Sequence, residues 1–321
     1  MNRRHLLGAT ALSLLPRQGM SQSFPERPLR FVVPYAPGGS TDTSARIVAE
    51  KLAVILGQPV IVENKPGGGT IIGTELVTKA KPDGHTVLLT PAAMIANAAF
   101  GVSVPYDIDK DLVPVVGFVD LPMLLAASNS APFKSVAELL AWSKQPGRTV
   151  SYASAGIGSL THLWGEYVKA RTGMPLEHVG YKGSAEALRD VIAGHVPLFA
   201  DVLVPTATAI KAGQVRGLAV ATATRSVLLP DVPTVGEAGL PGMEGTVPFG
   251  ISAPAGTSES VVMRLNAAFN EALNDPPTRA KLLELGFVPV GGAPQAYAGV
   301  LTSEIAKWRK VIKDSNIPPP N

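Results

Sequence analysis

A chain of 321 residues, 46% hydrophobic and 17% charged, can bury a large core; this excludes an intrinsically disordered protein and predicts about two domains. It holds no cysteine, which excludes disulfides and thiolate metal sites and suits an oxidising compartment. Its 28 basic and 25 acidic residues form no lysine- or arginine-rich block, so no nucleic-acid-binding face is expected.

The chain opens with "MNRRHLLGATALSLLPRQGMSQS". A basic start (Arg3, Arg4), an apolar run from Leu6 to Leu15 and the small residues Ser21 and Ser23 predict a signal peptide over residues 1–23. The paired arginines allow a twin-arginine export signal. Without these residues the chain carries 25 basic against 25 acidic groups, so the basic balance belongs to the leader. The Leu6–Leu15 run is too short to span a bilayer, and no later apolar run reaches that length without a charge or proline. An exported protein without direct membrane insertion is expected.

Strand and helix patterns then alternate. "LRFVV" (29–33) precedes a helix with Ala45, Val48, Leu52 and Ile55 on one face. "PVIVE" (59–63), a helix around 71–80 and "HTVLLT" (85–90) follow. Such alternation predicts βαβ units and a parallel sheet. From Leu112 the pattern changes to the long, proline-broken "LVPVVGFVDLPMLLAAS", which reads as an extended crossing segment. A second series comprises helices at about 135–145, 160–172, 184–193 and 206–212, with strands at 149–154, 176–181, 196–201 and 216–222. Residues 230–244 are turn-rich, 248–256 read as extended, and only helices are predicted beyond, at about 258–274, 276–285 and 293–315. The layout implies two α/β lobes joined by crossings near 115–127 and 246–253, with the C-terminal helices returning to the first lobe. Ligands in such proteins sit in the cleft outside the carboxyl ends of the strands.

Two strand-to-helix loops share one grammar. "PYAPGGSTD" (34–42) offers Gly38 and Gly39 for a tight turn, then Ser40, Thr41 and Asp42 at a helix start. "SAGIGSLTH" (154–162) offers Gly156 and Gly158, which expose backbone amides, and the hydroxyls of Ser159 and Thr161 at a helix start. Free N–H groups and the helix dipole favour an anion at such places; the alternative at the first is a plain turn that Asp42 caps. Two of them, one from each lobe, could face each other across a cleft.

Other chemistry finds little support. There is no G-x-x-x-x-G-K-[ST], and "GIGSLT" lacks the last glycine of a dinucleotide fingerprint. There is no G-x-S-x-G nucleophile elbow. Ser159 and His162 leave a secreted serine hydrolase as the rival reading, although a triad would need a separate orienting acid. His85, His162, His178 and His195 are scattered and match no metal motif, so neither metal nor cofactor is expected. Lys182 is a candidate cation for an acidic ligand, and Asp201, at the carboxyl end of a strand, a candidate binding residue.

The mature chain resembles the substrate-binding proteins of tripartite tricarboxylate transporters, the Bordetella uptake gene (Bug) family. The resemblance is carried by "PYAPGGSTD", "VENKPGGG", "KPDGHTVLL", "YASAGIGSLTHL", "HVGYKGSAEAL", "IKAGQVRGLAV", "LPDVPTVGEAGLPG" and "APAGT", in this order. It implies a periplasmic-binding-protein type II fold, with one α/β domain built from 24–121 and 249–321 and a second from 122–248. It further implies a periplasmic location, a small organic carboxylate as ligand and the transporter's membrane subunits as partners; a sensor kinase, in a carboxylate-sensing role, is the other partner it allows. The implied ligand-binding residues are Tyr35, Ala36, Pro37, Gly38, Gly39, Ser40, Thr41 and Asp42 in the first loop. In the second they are Ser154, Ala155, Gly156, Ile157, Gly158, Ser159 and His162, and Asp201 matches the family's cleft-lining aspartate. Ile157, Ser159, Leu160 and Thr161 replace commoner polar residues, Val202 a frequent asparagine and Pro248 an aromatic, while Thr70 and Ile71 alter the usual end of the "PGxG" turn. These departures imply a more apolar distal pocket and a ligand with an apolar or aromatic body rather than citrate.

Overall fold

The computed structural model describes residues 24–320; the expected signal peptide at 1–23 lies outside them. Strand β1 (Leu29–Val33) buries every residue but Arg30, as a near-continuous apolar run does when both faces of a sheet are covered. Helix α1 (Ser40–Leu56) turns Ala45, Val48, Leu52 and Leu56 into the core, the spacing of one helical face. It stops at Gly57, whose φ of 65° is the left-handed C-terminal conformation that glycine adopts without strain. Strand β2 (Val60–Asn64), helix α2 (Ile71–Thr78) and strand β3 (Thr86–Thr90) complete the first βαβ units, β2 and β3 lying parallel to β1 on either side.

Helices α3 (Ala92–Phe100) and α4 (Ile108–Asp111) follow, and the sequence reading contained neither. "AAMIANAAF" is apolar or small on all sides, so it shows no 3.6-residue period. Strand β4 (Leu112–Ser128) is 17 residues long, about 55 Å at ~3.3 Å per residue. Then come α5 (Val136–Ser143), β5 (Val150–Ala153), α6 (Leu160–Thr172), β6 (Leu176–Val179), α7 (Ser184–Ala193), β7 (Leu198–Val202), α8 (Leu203–Lys211) and β8 (Val215–Val220). The chain ends with β9 (Thr246–Pro254), α9 (Glu259–Asn274), α10 (Pro276–Glu284), β10 (Val288–Gly291) and α11 (Pro294–Asp314).

The strand order is β2-β1-β3-β9-β4-β7-β5-β6, with β8 and β10 also on β4. The flanks are parallel as expected, but the centre is antiparallel: β9 runs against both β3 and β4, and β7 against β4. The N-terminal part of β4 pairs with β9 and β10, and its C-terminal part with β7 and β8. Its length therefore lets one strand serve both halves of the molecule. Register shifts follow Pro114 and Gly117, bulges at which a strand can hold a proline and bend.

Two sequence expectations need correction. The region beyond 256 is not purely helical, because the four residues of β10 pair antiparallel with β4; a strand so short, with a proline and a glycine, gives no alternation to read. Helix α8 begins at Leu203 rather than 206, with Pro205 in its first turn, where a missing N–H costs nothing. The C-terminal helices do return to the N-terminal half, α9 onto α1 and α11 onto α3. Phe31 meets Phe118 and Phe269 edge-to-face at 6.0 and 5.7 Å, joining β1, β4 and α9 in one core.

Candidate ligand-binding cleft

Both glycine-rich loops open onto one cleft of about 870 Å³. Tyr35 through Thr41 line it from the β1–α1 side; Ala155, Ile157, Gly158, Ser159, Leu160 and Thr161 line it from the β5–α6 side. Asp201 and Val202 contribute from the end of β7. The two helix starts that the sequence singled out thus share one cavity.

The local hydrogen bonds assign the loops' polar groups. The carboxylate of Asp42 does not line the cleft; it accepts from the Gly38 N–H at 2.8 Å, from Arg46 Nε at 3.0 Å and from Asn64 Nδ2 at 3.0 Å. Burial works to raise the Asp42 carboxyl, but these hydrogen bonds outweigh it and hold the group below the usual carboxylate range. Asn64 Nδ2 also donates to the Tyr35 carbonyl at 3.1 Å, so a buried anion braces the loop from behind. Helix α1 has no side-chain cap, and the leading N–H groups of a helix lack intrahelical partners. Ser40 and Thr41, at the cleft wall, carry such groups.

In the second loop most amides are occupied. Gly156 N–H donates to Ser154 Oγ at 3.2 Å, and Gly158 N–H to His162 Nδ1 at 3.2 Å. Ser159 Oγ donates to the Gly156 carbonyl at 2.7 Å and accepts from the His162 N–H at 3.1 Å, which makes it the N-cap of α6. The expectation that the two glycines expose their amides is therefore corrected: Leu160 and Thr161, the first residues of α6, carry the free N–H groups. Ser154, Gly156 and His162 stand behind the wall rather than in it.

The same geometry bears on the hydrolase reading. The hydroxyl proton of Ser159 goes to a carbonyl, and His162 Nδ1 is taken by an amide, so the Ser–His hydrogen bond that activates a nucleophile is not made. His162 stacks on His178 at 3.9 Å between ring centroids, and His178 Nε2 meets Ser154 Oγ at 2.8 Å. Burial, with Lys169 next, pushes His162 down to about 4. Burial and the neighbouring His162 push His178 down to about 4 as well, so both rings are neutral supports.

The sequence reading missed several lining residues. Ala92, Ala93, Ala96 and Asn97 form a wall from α3; Leu121, Val247 and Phe249 come from the two crossing strands, and Pro320 from the tail. Ser184 was legible in principle, being a hydroxyl at a helix start after a strand. Its Oγ donates to Asp201 Oδ1 at 3.0 Å. Among the described residues lining the cleft there is no lysine, arginine or histidine, and Lys182 is not one of them. Asp201 is fully buried, and burial pushes its carboxyl up to about 7 against hydrogen bonds from the Val202 N–H and Ser184.

A mixed sheet bridged by two long strands, with a cleft between two helix starts, is the architecture in which the comparisons with known proteins place this chain. The family model of the tripartite tricarboxylate transporter family receptor matches residues 44–317, and the chain belongs to that family, whose fold is that of the periplasmic binding proteins. A Pseudomonas sp. (strain P51) protein, the UPF0065 protein in the tcbD-tcbE intergenic region, is 40% identical over 316 residues, 97% of this chain and 94% of that one. Protein BugT of Bordetella pertussis is 34% identical over 297 residues, covering 92% and 91%. The solved structure of R. palustris Rpa4515 with adipate superposes with a TM-score of 0.81 at 36% identity, covering 92% of this chain and all of that one. Among the described residues no helix is long and apolar enough to cross a membrane.

Proposed function

We propose that this protein is a periplasmic receptor that captures a small organic carboxylate in the cleft and delivers it to the membrane subunits of a tripartite transporter. The observation that carries the reading is the pair of helix starts, at Ser40–Thr41 and Leu160–Thr161, opening on one cavity. Together they offer an anion several backbone N–H groups and hydroxyls with no cation, so binding rests on preorganised dipoles in a place that excludes water. The adipate bound to a 36% identical relative supports the ligand class. We further read the chain as two domains, 24–121 with 249–321 and 122–248, hinged where β4 and β9 cross. Closure follows if the state in which both helix starts hold one carboxylate binds it more tightly than the open state does. No covalent step is proposed.

The rest of the wall supports a ligand with an apolar body. Ala92, Ala96, Leu121, Ile157, Val202, Val247 and Phe249 line it. They can cover the methylene groups that separate the carboxylates of adipate, whereas the carboxylates crowded on the short hydroxylated skeleton of citrate would meet them with no cation among the described lining residues to receive the charge. Isothermal titration should find an aliphatic or aromatic carboxylate such as adipate or benzoate binding at least tenfold more tightly than citrate. Citrate as the tightest ligand of such a panel would overturn the apolar-body reading. Failure of every carboxylate to raise the melting temperature would overturn carboxylate capture itself.

A further inference from the structure

Among its described residues the cleft wall contains one carboxylic acid and no base, and the acid is poorly placed to stay ionised. Asp201 Oδ1 accepts hydrogen bonds from the Val202 N–H at 2.7 Å and from Ser184 Oγ at 3.0 Å. Its Oδ2, buried, has no partner. A buried ionised oxygen without a donor is costly, and a protonated one much less so. An anionic ligand would bring a second negative charge to the same water-poor wall, where like charges drive one group to hold its proton. Resting on the carboxylate-capture reading above, we propose that capture is proton-linked: Asp201 takes up a proton from solvent as the anion binds, so the cleft accepts a carboxylate and a proton together.

The surroundings leave this role to Asp201. The charged groups on the elements packed round it are His162, Glu166, Lys169 and Arg171 on α6, and Glu186, Arg189 and Asp190 on α7. Lys211 on α8 and Asp120 on β4 complete the set. None of them perturbs Asp201, whose ionisation answers to burial first and then to the two hydrogen bonds on Oδ1. His162 and its neighbour His178, held near 4, stay neutral across the range in which Asp201 would change. Burial already brings Asp201 to about 7, so a further rise on binding falls in the neutral range. The sign is fixed by linkage: affinity for an anion is greatest where Asp201 is already protonated and weakens as pH rises through its titration.

The test has two parts. Carboxyl ¹³C NMR of the full chain without ligand, with D201N identifying the resonance, should show Asp201 titrating near neutrality; titration near the ordinary aspartate value of about 4 would overturn the proposal. Next, titration calorimetry with adipate, or with benzoate if only that raises the melting temperature, is run in two buffers of different ionisation enthalpy. Uptake of up to about one proton is expected, with Kd weakening roughly tenfold between about pH 6.5 and pH 8.5. D201N should bind more tightly than the parent at about pH 8.5, with a Kd that no longer follows pH. If D201N does not fold, Ser184→Ala, which removes a donor to the ionised form, should shift the titration upward. Carboxylate binding with no proton uptake and a pH-independent Kd defeats this inference alone. Absence of binding by any carboxylate at any pH defeats the capture reading on which it rests.

Discussion

Asp42 illustrates how residue chemistry divides between binding a ligand and building the place that binds it. Sequence left it between helix cap and anion grip, and its three hydrogen-bond partners, Gly38, Arg46 and Asn64, make it the brace of the first loop. Removing one member of a buried, charged network leaves the others unsatisfied. Asp42→Ala should therefore lower unfolding stability by about 2–3 kcal/mol, measured by urea titration, and should weaken carboxylate binding by loosening Gly38 to Thr41. A stability within error of the parent would show that the network contributes little. Ser159 was equally ambiguous in the sequence; its hydroxyl proves to be a cap whose proton is already used.

At the scale of elements, the crossing strands decide where the cleft can be. Phe249, next to the middle of β9, lines the cavity, while Gly250 lies against the ring of Tyr297 on α11. A Cβ at Gly250 would come within 1.9 Å of that ring, closer than atoms can approach, and the ring is buried with no room to retreat. Gly250→Ala should push α11 away from the crossing and cost several kcal/mol, on the scale of ~1–3 kcal/mol or more for an overpacked core. Its melting temperature should fall while Gly299→Ala, which meets nothing within 4 Å on α11, leaves it near the parent's. The sequence showed β9 as an extended segment and said nothing of its glycine; the packing of α11 explains why that position has no side chain.

At the scale of the whole molecule, the stacked His162–His178 pair ties the second loop to pH. Both rings are neutral when folded because burial holds them near 4, against an unfolded value of about 6.5. The unfolded chain therefore binds more protons between these values, so their contribution is complete above about 6.5 and is lost as pH falls toward 4. At 1.36 kcal/mol per unit this is on the order of 3 kcal/mol for His162. Denaturation midpoints compared between the parent and the H162N/H178N variant should diverge as pH falls from about 7 to 4.5, the parent losing more. Parallel curves would show that the rings are solvated. Asp201 acts in the opposite direction, its raised value favouring the folded state at low pH, so the comparison with the double variant isolates the histidines.

Local patterns alone determined most elements and singled out both glycine-rich loops that line the cleft, because a buried strand, an amphipathic helix and a glycine-rich start each impose a local residue pattern. Helix α3 and strand β10 were not legible: the first is apolar all round and the second too short, so tertiary contacts with α11 and β4 set their conformation. Sequence also placed Asp201 at a strand end and predicted an apolar pocket. It did not show that Gly156 and Gly158 surrender their amides to Ser154 and His162, or that the described residues of the cleft wall include no cation. Those outcomes depend on which side chains meet after residues far apart in the chain are brought together, and local patterns carry no record of such meetings.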